Sequence, residues 1–320
     1  MPEIIRKNIS FDSVVPGERI QVRVTEPEDA EDVRGILQIA HGMAEHSGLY
    51  NDFAEFMAER GFVVAVNDHL GHGRSVSRGG AYGYFGEGGY PNLINDMKKL
   101  STLLQQEYPA MPLILLGHSM GSFLTRAYLV RFGSNLAAAI ILGTGEIPNP
   151  LVWRSECLLA EQLIKKKGPK GHDPLFAKLS TQRYNKAFAP NRTPNDWLSR
   201  DEKEVDRYTA DPLCGFDLTT SGYGEILLLQ GDIAGKKWAQ RVPKIPLQVL
   251  SGEKDPVGEF GKGVERVVKN LQETGHHVEW KLYPEARHVL LCETNRLEVY
   301  RDILEFIERN AGLPEEEDTL

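Results

Sequence analysis

The sequence predicts an α/β protein: a mostly parallel sheet with helices on both faces, interrupted by a mainly helical insertion. Three observations carry this. Short apolar runs without polar alternation, such as Phe62–Val66 and Leu113–Leu116, read as strands buried on both faces. They alternate with longer stretches of helical periodicity, an order that demands crossover connections and therefore parallel strands. The alternation then stops after Gly143 and resumes at Ile245.

In chain order, Val33–Ile39 is a branched apolar strand ending at His41-Gly42. Asp52–Arg60 is a helix with Phe53, Phe56 and Met57 on one face, stopped by Gly61. Phe62–Val66 is the next strand, and Leu93–Tyr108 a helix burying Leu93, Met97, Leu100, Leu103 and Leu104. Leu113–Leu116, Ser122–Phe132 and Leu136–Leu142 follow as strand, helix and strand. Ile147–Val242 is irregular, with helical pieces at Leu151–Ile164 and Ser221–Gln230 and no buried-type strand. Ile245–Leu250 and Val278–Leu282 are strands, and Gly263–Thr274 and Leu297–Glu308 helices. The chain divides into a core (1–146), an insertion (147–242) and the rest of the core (243–320). The tail Pro314–Leu320 is acidic and expected to fray.

Composition narrows the function. The 320 residues are 41% hydrophobic and carry a net charge of −8, which suits a globular protein and not a binder of nucleic-acid backbones. Cys157, Cys214 and Cys292 form no C-x-x-C pair and read as buried small hydrophobes in a reducing compartment. The start, Met1–Ser10, has no apolar core of a signal peptide, and no run approaches the roughly 20 residues that span a bilayer. A cytoplasmic location is expected.

Gly117-His118-Ser119-Met120-Gly121 matches G-x-S-x-G, between a buried strand and a helix. A serine on that turn is pushed into the open, and flanking glycines admit the close strand–helix approach. Ser119 is therefore the candidate nucleophile. It needs a base, and the base an orienting acid, each on a loop after a later strand. The loop after Ile245–Leu250 offers Asp255, with Glu253 as rival. The loop after Val278–Leu282 offers His288. His276 and His277 stand at the wrong end of their strand, and His172 lies in the insertion. Oxyanion donors are expected from the backbone N–H of Met120, just after the serine, and of Met43, in the loop after the first core strand. His41-x-x-x-Glu45-His46 fits neither H-E-x-x-H nor H-x-x-E-H, so neither metal nor cofactor is expected. Asp68-His69-Leu70-Gly71-His72-Gly73-Arg74-Ser75 lacks a phosphate-loop pattern.

Together with His41-Gly42-Met43-Ala44-Glu45-His46-Ser47-Gly48-Leu49-Tyr50, these stretches resemble the α/β-hydrolase superfamily, in its monoacylglycerol lipase and lysophospholipase-like branch. The branch pattern H-G-x-x-E-H-S-x-R-Y is met except that Leu49 stands for the arginine. The resemblance implies the α/β-hydrolase fold and a serine hydrolase of carboxylic esters, with Ser119, Asp255 and His288 as triad and Met43 and Met120 as oxyanion donors. It also implies that the insertion is a cap shaping the acyl pocket. Two alternatives stay open: an aminopeptidase, whose amine site would draw on insertion carboxylates such as Glu146, Glu156, Glu161, Asp196 and Glu204, and a small-ester hydrolase. A non-catalytic binder on the same fold is disfavoured because every triad candidate is present. Leu151–Ile164, with Val152, Cys157, Leu159 and Leu163, reads as a helix packed on the core in preference to a lid over an acyl tunnel or a lipid surface. The lysines Lys165, Lys166, Lys167 and Lys170 beside it read as a solvated run in preference to a contact with anionic lipid.

Overall fold

The computed structural model describes residues 3–147, 149–179 and 181–314; residues 315–320 of the acidic tail lie outside them. Eight strands form one sheet: β1 (Ile4–Asp12), β2 (Arg19–Pro27), β3 (Gly35–Ala40), β4 (Phe62–Asn67), β5 (Leu113–His118), β6 (Ala138–Leu142), β7 (Leu247–Gly252) and β8 (Val278–Tyr283). Their order is β1-β2-β4-β3-β5-β6-β7-β8. The pairs β1–β2 and β2–β4 are antiparallel, and every pair from β4–β3 to β7–β8 is parallel. The central strands β3 to β7 are buried at every position, as their unalternating apolar runs require.

The helices of the core are α1 (Asn51–Ala58), α2 (Tyr90–Glu107) and α3 (Met120–Phe132). The insertion supplies α4 (Pro150–Lys167), α5 (Pro174–Leu179), α6 (Thr181–Asn185), α7 (Glu202–Ala210), α8 (Thr220–Asp232) and α9 (Gly235–Ala239). The closing pair is α10 (Lys262–Gln272) and α11 (Arg296–Asn310). Buried residues of α2, α3 and α10 pack on one face of the sheet, and those of α1 and α11 on the other. The six insertion helices all fall between β6 and β7, with no strand among the described residues there.

Three expectations need correction. The first two strands lie upstream of the predicted first one. In β2, Ile20, Val22 and Val24 alternate with polar residues, the period of a strand with one wet face. Leu103 is 37% exposed: α2 buries Leu100 and Leu104, and Leu103 faces outward. The preferred reading of Leu151–Ile164 as a helix packed on the core holds for one side of it alone. In α4 Ala160 is buried and Leu163 packs against the same core cluster, while Leu151 is 72% and Leu158 59% exposed. The helix leans on α8, and Leu151, Val152 and Leu158 face water.

No helix among the described residues is long and apolar enough to cross a membrane.

Candidate active site

In a parallel sheet the loops at the carboxyl ends of the strands share one edge, and ligands gather there. The described site is built from five such loops: those after β3 (His41–Tyr50), β4 (Asp68–Ser75), β5 (Ser119), β7 (Asp255) and β8 (His288).

Ser119 has φ 53° and ψ −120°, a left-handed backbone for a residue with a Cβ. Its N–H donates to Leu142 O on β6 (3.0 Å), which pins the turn to the sheet. The glycines answer to space. A Cβ on Gly117 would stand 2.2 Å from Gly121 O, and one on Gly121 would stand 2.0 Å from Ala40 O, both immovable backbone. This is why the strand can run straight into α3 beneath the loop after β3.

His288 is buried and donates from Nδ1 to the Asp255 carboxylate, 3.0 Å from each oxygen. Asp255 also accepts from Ser251 Oγ (3.2 Å) and Val257 N (2.9 Å). The rival Glu253 is exposed and reaches Glu285 N at 3.4 Å. His288 Nε2 is buried without a hydrogen-bond partner. His276 is a structural histidine, bonded to Leu271 O and Val242 O, and His277 is exposed.

Two cavities meet at Ser119. One has a volume of about 530 Å³ and is lined by Met43, Ser119 and Met120 together with largely apolar and aromatic groups of the insertion, such as Trp153, Phe176 and Leu227. The other is about 60 Å³ and of mixed lining, with Glu45, His118, Asn195, Tyr208 and His288 beside Ser119 but also Trp197, Leu198 and Phe216. Met43 lines both. The structure thus brings Ser119, Asp255, His288, Met43 and Met120 to one edge of the sheet.

Several neighbours escape a reading of the sequence. Glu45 Oε1 accepts from Gly42 N (2.5 Å) and Tyr50 Oη (2.6 Å), and lies 3.2 Å from His118 Nδ1. Burial pushes this carboxyl up, but His118 and the hydrogen bonds outweigh that and hold it at about 2. The charged carboxylate thereby ties the loop after β3 to the G-x-S-x-G turn. His41 donates to Gly42 O (2.7 Å) and accepts from His69 N (2.9 Å). Burial lowers His41, takes His69 well below the ordinary range, and with His41 alongside brings His72 to about 3, so these imidazoles stay neutral. Trp197 of the insertion stacks on His288, ring centres 4.9 Å apart. The buried Glu293 carboxylate accepts from Arg287 N (2.8 Å) and from Arg200 Nε (2.9 Å), and so joins the His288 loop to the insertion. A pattern in sequence could flag Glu45, which falls on the H-G-x-x-E-H stretch; Trp197 and Glu293 carry no periodic or motif signal.

His46, Asp211 and Cys214 are the one group with metal-ligand chemistry among the described residues, their ligand atoms within 4.8 Å of each other. Gly48 N–H donates to His46 Nδ1 (3.1 Å), so neutral His46 keeps its proton on Nε2, which donates to Asp211 Oδ2 (2.9 Å). A metal-bound histidine donates through its other nitrogen; here that nitrogen accepts, and the group does not fit an ion. It fastens the insertion to the loop after β3, alongside Tyr208 Oη→Ala44 O (3.0 Å) and Gly215 N→Ala44 O (2.9 Å). Leu49, where the branch pattern has arginine, packs on the cluster beneath α1 and α11.

A mostly parallel sheet, a left-handed serine after β5, and an acid and a histidine after later strands define an α/β-hydrolase. Residues 31–295 match the family described as serine aminopeptidase, S33 (Hydrolase_4), and the chain belongs to that family. It is similar to a monoacylglycerol lipase of Mycolicibacterium smegmatis, 28% identical over 92% of this chain and 94% of that one. It resembles the crystal structure of a highly thermostable carboxyl esterase from Bacillus coagulans in complex with glycerol. That match has a TM-score of 0.88 and 33% identity, covering 96% of this chain and 99% of that one. A soluble variant of the Saccharomyces cerevisiae monoglyceride lipase shares the fold, with TM-score 0.72 at 19% identity, over 96% and 95% of the two chains. The chain is a carboxylic ester hydrolase.

Proposed function

We propose that this chain cleaves carboxylic esters of monoacylglycerol or lysophospholipid type through an acyl-enzyme on Ser119. The observation that carries the reading is the pair of unequal cavities flanking Ser119: a large, mainly apolar one suited to an acyl chain and a small one that sets the polar groups of Glu45, Asn195 and Tyr208 beside the serine, suited to a hydroxylated leaving group. The relatives named monoacylglycerol and monoglyceride lipase support the same class.

In this reading His288 Nε2 takes the proton of Ser119 Oγ as the oxygen attacks the acyl carbonyl. Asp255 orients the imidazole and stabilises its charged form. The N–H groups of Met43 and Met120 bind the oxyanion. His288 then protonates the departing alcohol, and afterwards activates the water that releases the acid. The carboxylate bond from His288 Nδ1 favours the tautomer this needs, leaving Nε2 unprotonated, and Nε2 has no other hydrogen-bond partner in the fold.

Residues 147–242 act as the cap. The exposed Leu151, Val152 and Leu158 of α4, followed by Lys165, Lys166 and Lys167, support a transient contact of the cap with a lipid surface. The three free cysteines suit a cytoplasmic enzyme.

The family description favours one second reading, an aminopeptidase. Glu156 lines the large cavity and could face an amine, and burial raises its carboxyl. Arg183 lines the same cavity and would repel that amine, so the ester reading is preferred. A panel of monoacylglycerols, lysophosphatidylcholine, p-nitrophenyl acetate and aminoacyl anilides tests it. Highest kcat/KM on a monoacylglycerol or lysophospholipid is expected. Activity that peaks at acetyl, or on the anilides, would overturn it.

A further inference from the structure

The loop that carries Asp255 ends in three consecutive left-handed residues: Glu259 (φ 51°), Phe260 (φ 57°) and Gly261 (φ 91°). Glycine adopts that backbone freely, but residues with a Cβ meet their own carbonyl there. The turn is held by several bonds at once. Phe260 N donates to Asp255 O (2.8 Å), Gly263 N to Gly258 O (2.8 Å), and Glu259 pairs with Arg266. The ring so displayed is 48% exposed, although phenylalanine is ordinarily among the more buried residues. It lines the larger cavity together with Ser119. Its neighbours Pro256 and Val257 line the same cavity, so the segment running on from Asp255 serves as wall as well as support for the acid.

Strain and an exposed aromatic thus coincide at one residue, and nothing in the resting fold covers the ring fully. An apolar chain lying in the cavity would. We propose that Phe260 is a specificity-determining residue for the acyl group, forming the rim of the acyl cavity so that only chains long enough to reach it gain its contact. This deepens the ester reading and rests on the larger cavity taking the acyl chain. Selectivity then lies partly in the core loop that bears the acid and not in the cap alone. Each methylene that the ring helps to cover is worth about fourfold in binding, so a contact with two or three of them discriminates by at least about tenfold.

The test compares kcat/KM for p-nitrophenyl dodecanoate and butanoate in the intact protein and in Phe260→Ala, Phe260→Gly and Phe260→Leu. The ratio of the two is expected to fall about tenfold in the Ala and Gly variants, with butanoate turnover within about twofold of the parent. The Leu variant should regain most of the ratio. Because the backbone is left-handed, Phe260→Gly should melt no lower than Phe260→Ala. A ratio unchanged in both small variants would overturn the proposal, and so would an equal fall on both substrates. Loss of the parent's own ester turnover is a separate result, and it would strike the ester reading and not Phe260.

Discussion

Replacing Asp255 by Asn keeps the side chain's size and removes its charge. One carboxylate oxygen holds Val257 N at 2.9 Å and the other accepts from Ser251 Oγ at 3.2 Å, while both lie 3.0 Å from His288 Nδ1. Val257 N–H can only donate, so the amide oxygen must stay on its side. The NH2 then turns toward Ser251, whose hydroxyl can rotate to accept. The loop keeps its bonds, but His288 loses the anion that selects its tautomer and stabilises its charged form. Loss of that function costs about 10⁴ in kcat, or about 5.5 kcal/mol of transition-state stabilisation. The fold should lose only one charge-assisted bond, a shift of a few degrees in Tm. The assay is kcat on p-nitrophenyl butanoate across about pH 6 to 9, beside a melting curve. Glu253→Gln is the internal control: the residue is exposed, and its contact with Glu285 N is long at 3.4 Å, so activity should stay within about twofold. If Asp255→Asn keeps more than about a tenth of kcat, or Glu253→Gln falls as far, the assignment of the acid is refuted.

Further outcomes follow from the same contacts. Gly121→Ala drives a Cβ to 2.0 Å from Ala40 O and 2.7 Å from His41 O; it should displace the oxyanion loop, lowering Tm and cutting turnover at least about 100-fold, and parent-like kinetics would contradict the packing. Glu45→Gln removes a buried anion with three partners and should cost about 1–3 kcal/mol in denaturant unfolding, whereas an unchanged midpoint would show that the charge is not needed there. His72 stays neutral down to about 3 in the fold, while the unfolded imidazole takes a proton near 6.5. Its contribution is therefore full above about pH 6.5 and is lost as pH falls toward about 3, by up to about 1.4 kcal/mol per pH unit. Unfolding of His72→Gln at several pH values in that window should show a slope smaller by about one proton, and an identical slope would contradict the buried neutral imidazole.

What the sequence revealed depended on the range over which each feature is encoded. The turn at Ser119 was legible because strand, glycines and helix are contiguous, and the positions of Asp255 and His288 because each follows its own strand, the buried β7 and the half-buried end strand β8. The exposed face of α4 was not legible. Its apolar spacing is that of a packed helix, and only the tertiary arrangement, in which it leans on α8, shows which side faces water. The links from Glu45 to His118 and from Glu293 to Arg200 join residues 73 and 93 positions apart, and such pairings have no local signature. The strands β1 and β2 differ again: alternation at Ile20, Val22 and Val24 was present, but the unbroken apolar runs elsewhere are the stronger pattern.

The central claim is that Ser119 forms the acyl-enzyme. Its most direct test is to label the protein with a fluorophosphonate, locate the adduct by peptide mass spectrometry, and repeat both labelling and monoacylglycerol hydrolysis with Ser119→Ala. A single adduct on Ser119, with labelling and turnover both lost in the variant, is the predicted result. An adduct on another residue, or a Ser119→Ala protein that still hydrolyses the ester at the parent's rate, would contradict it.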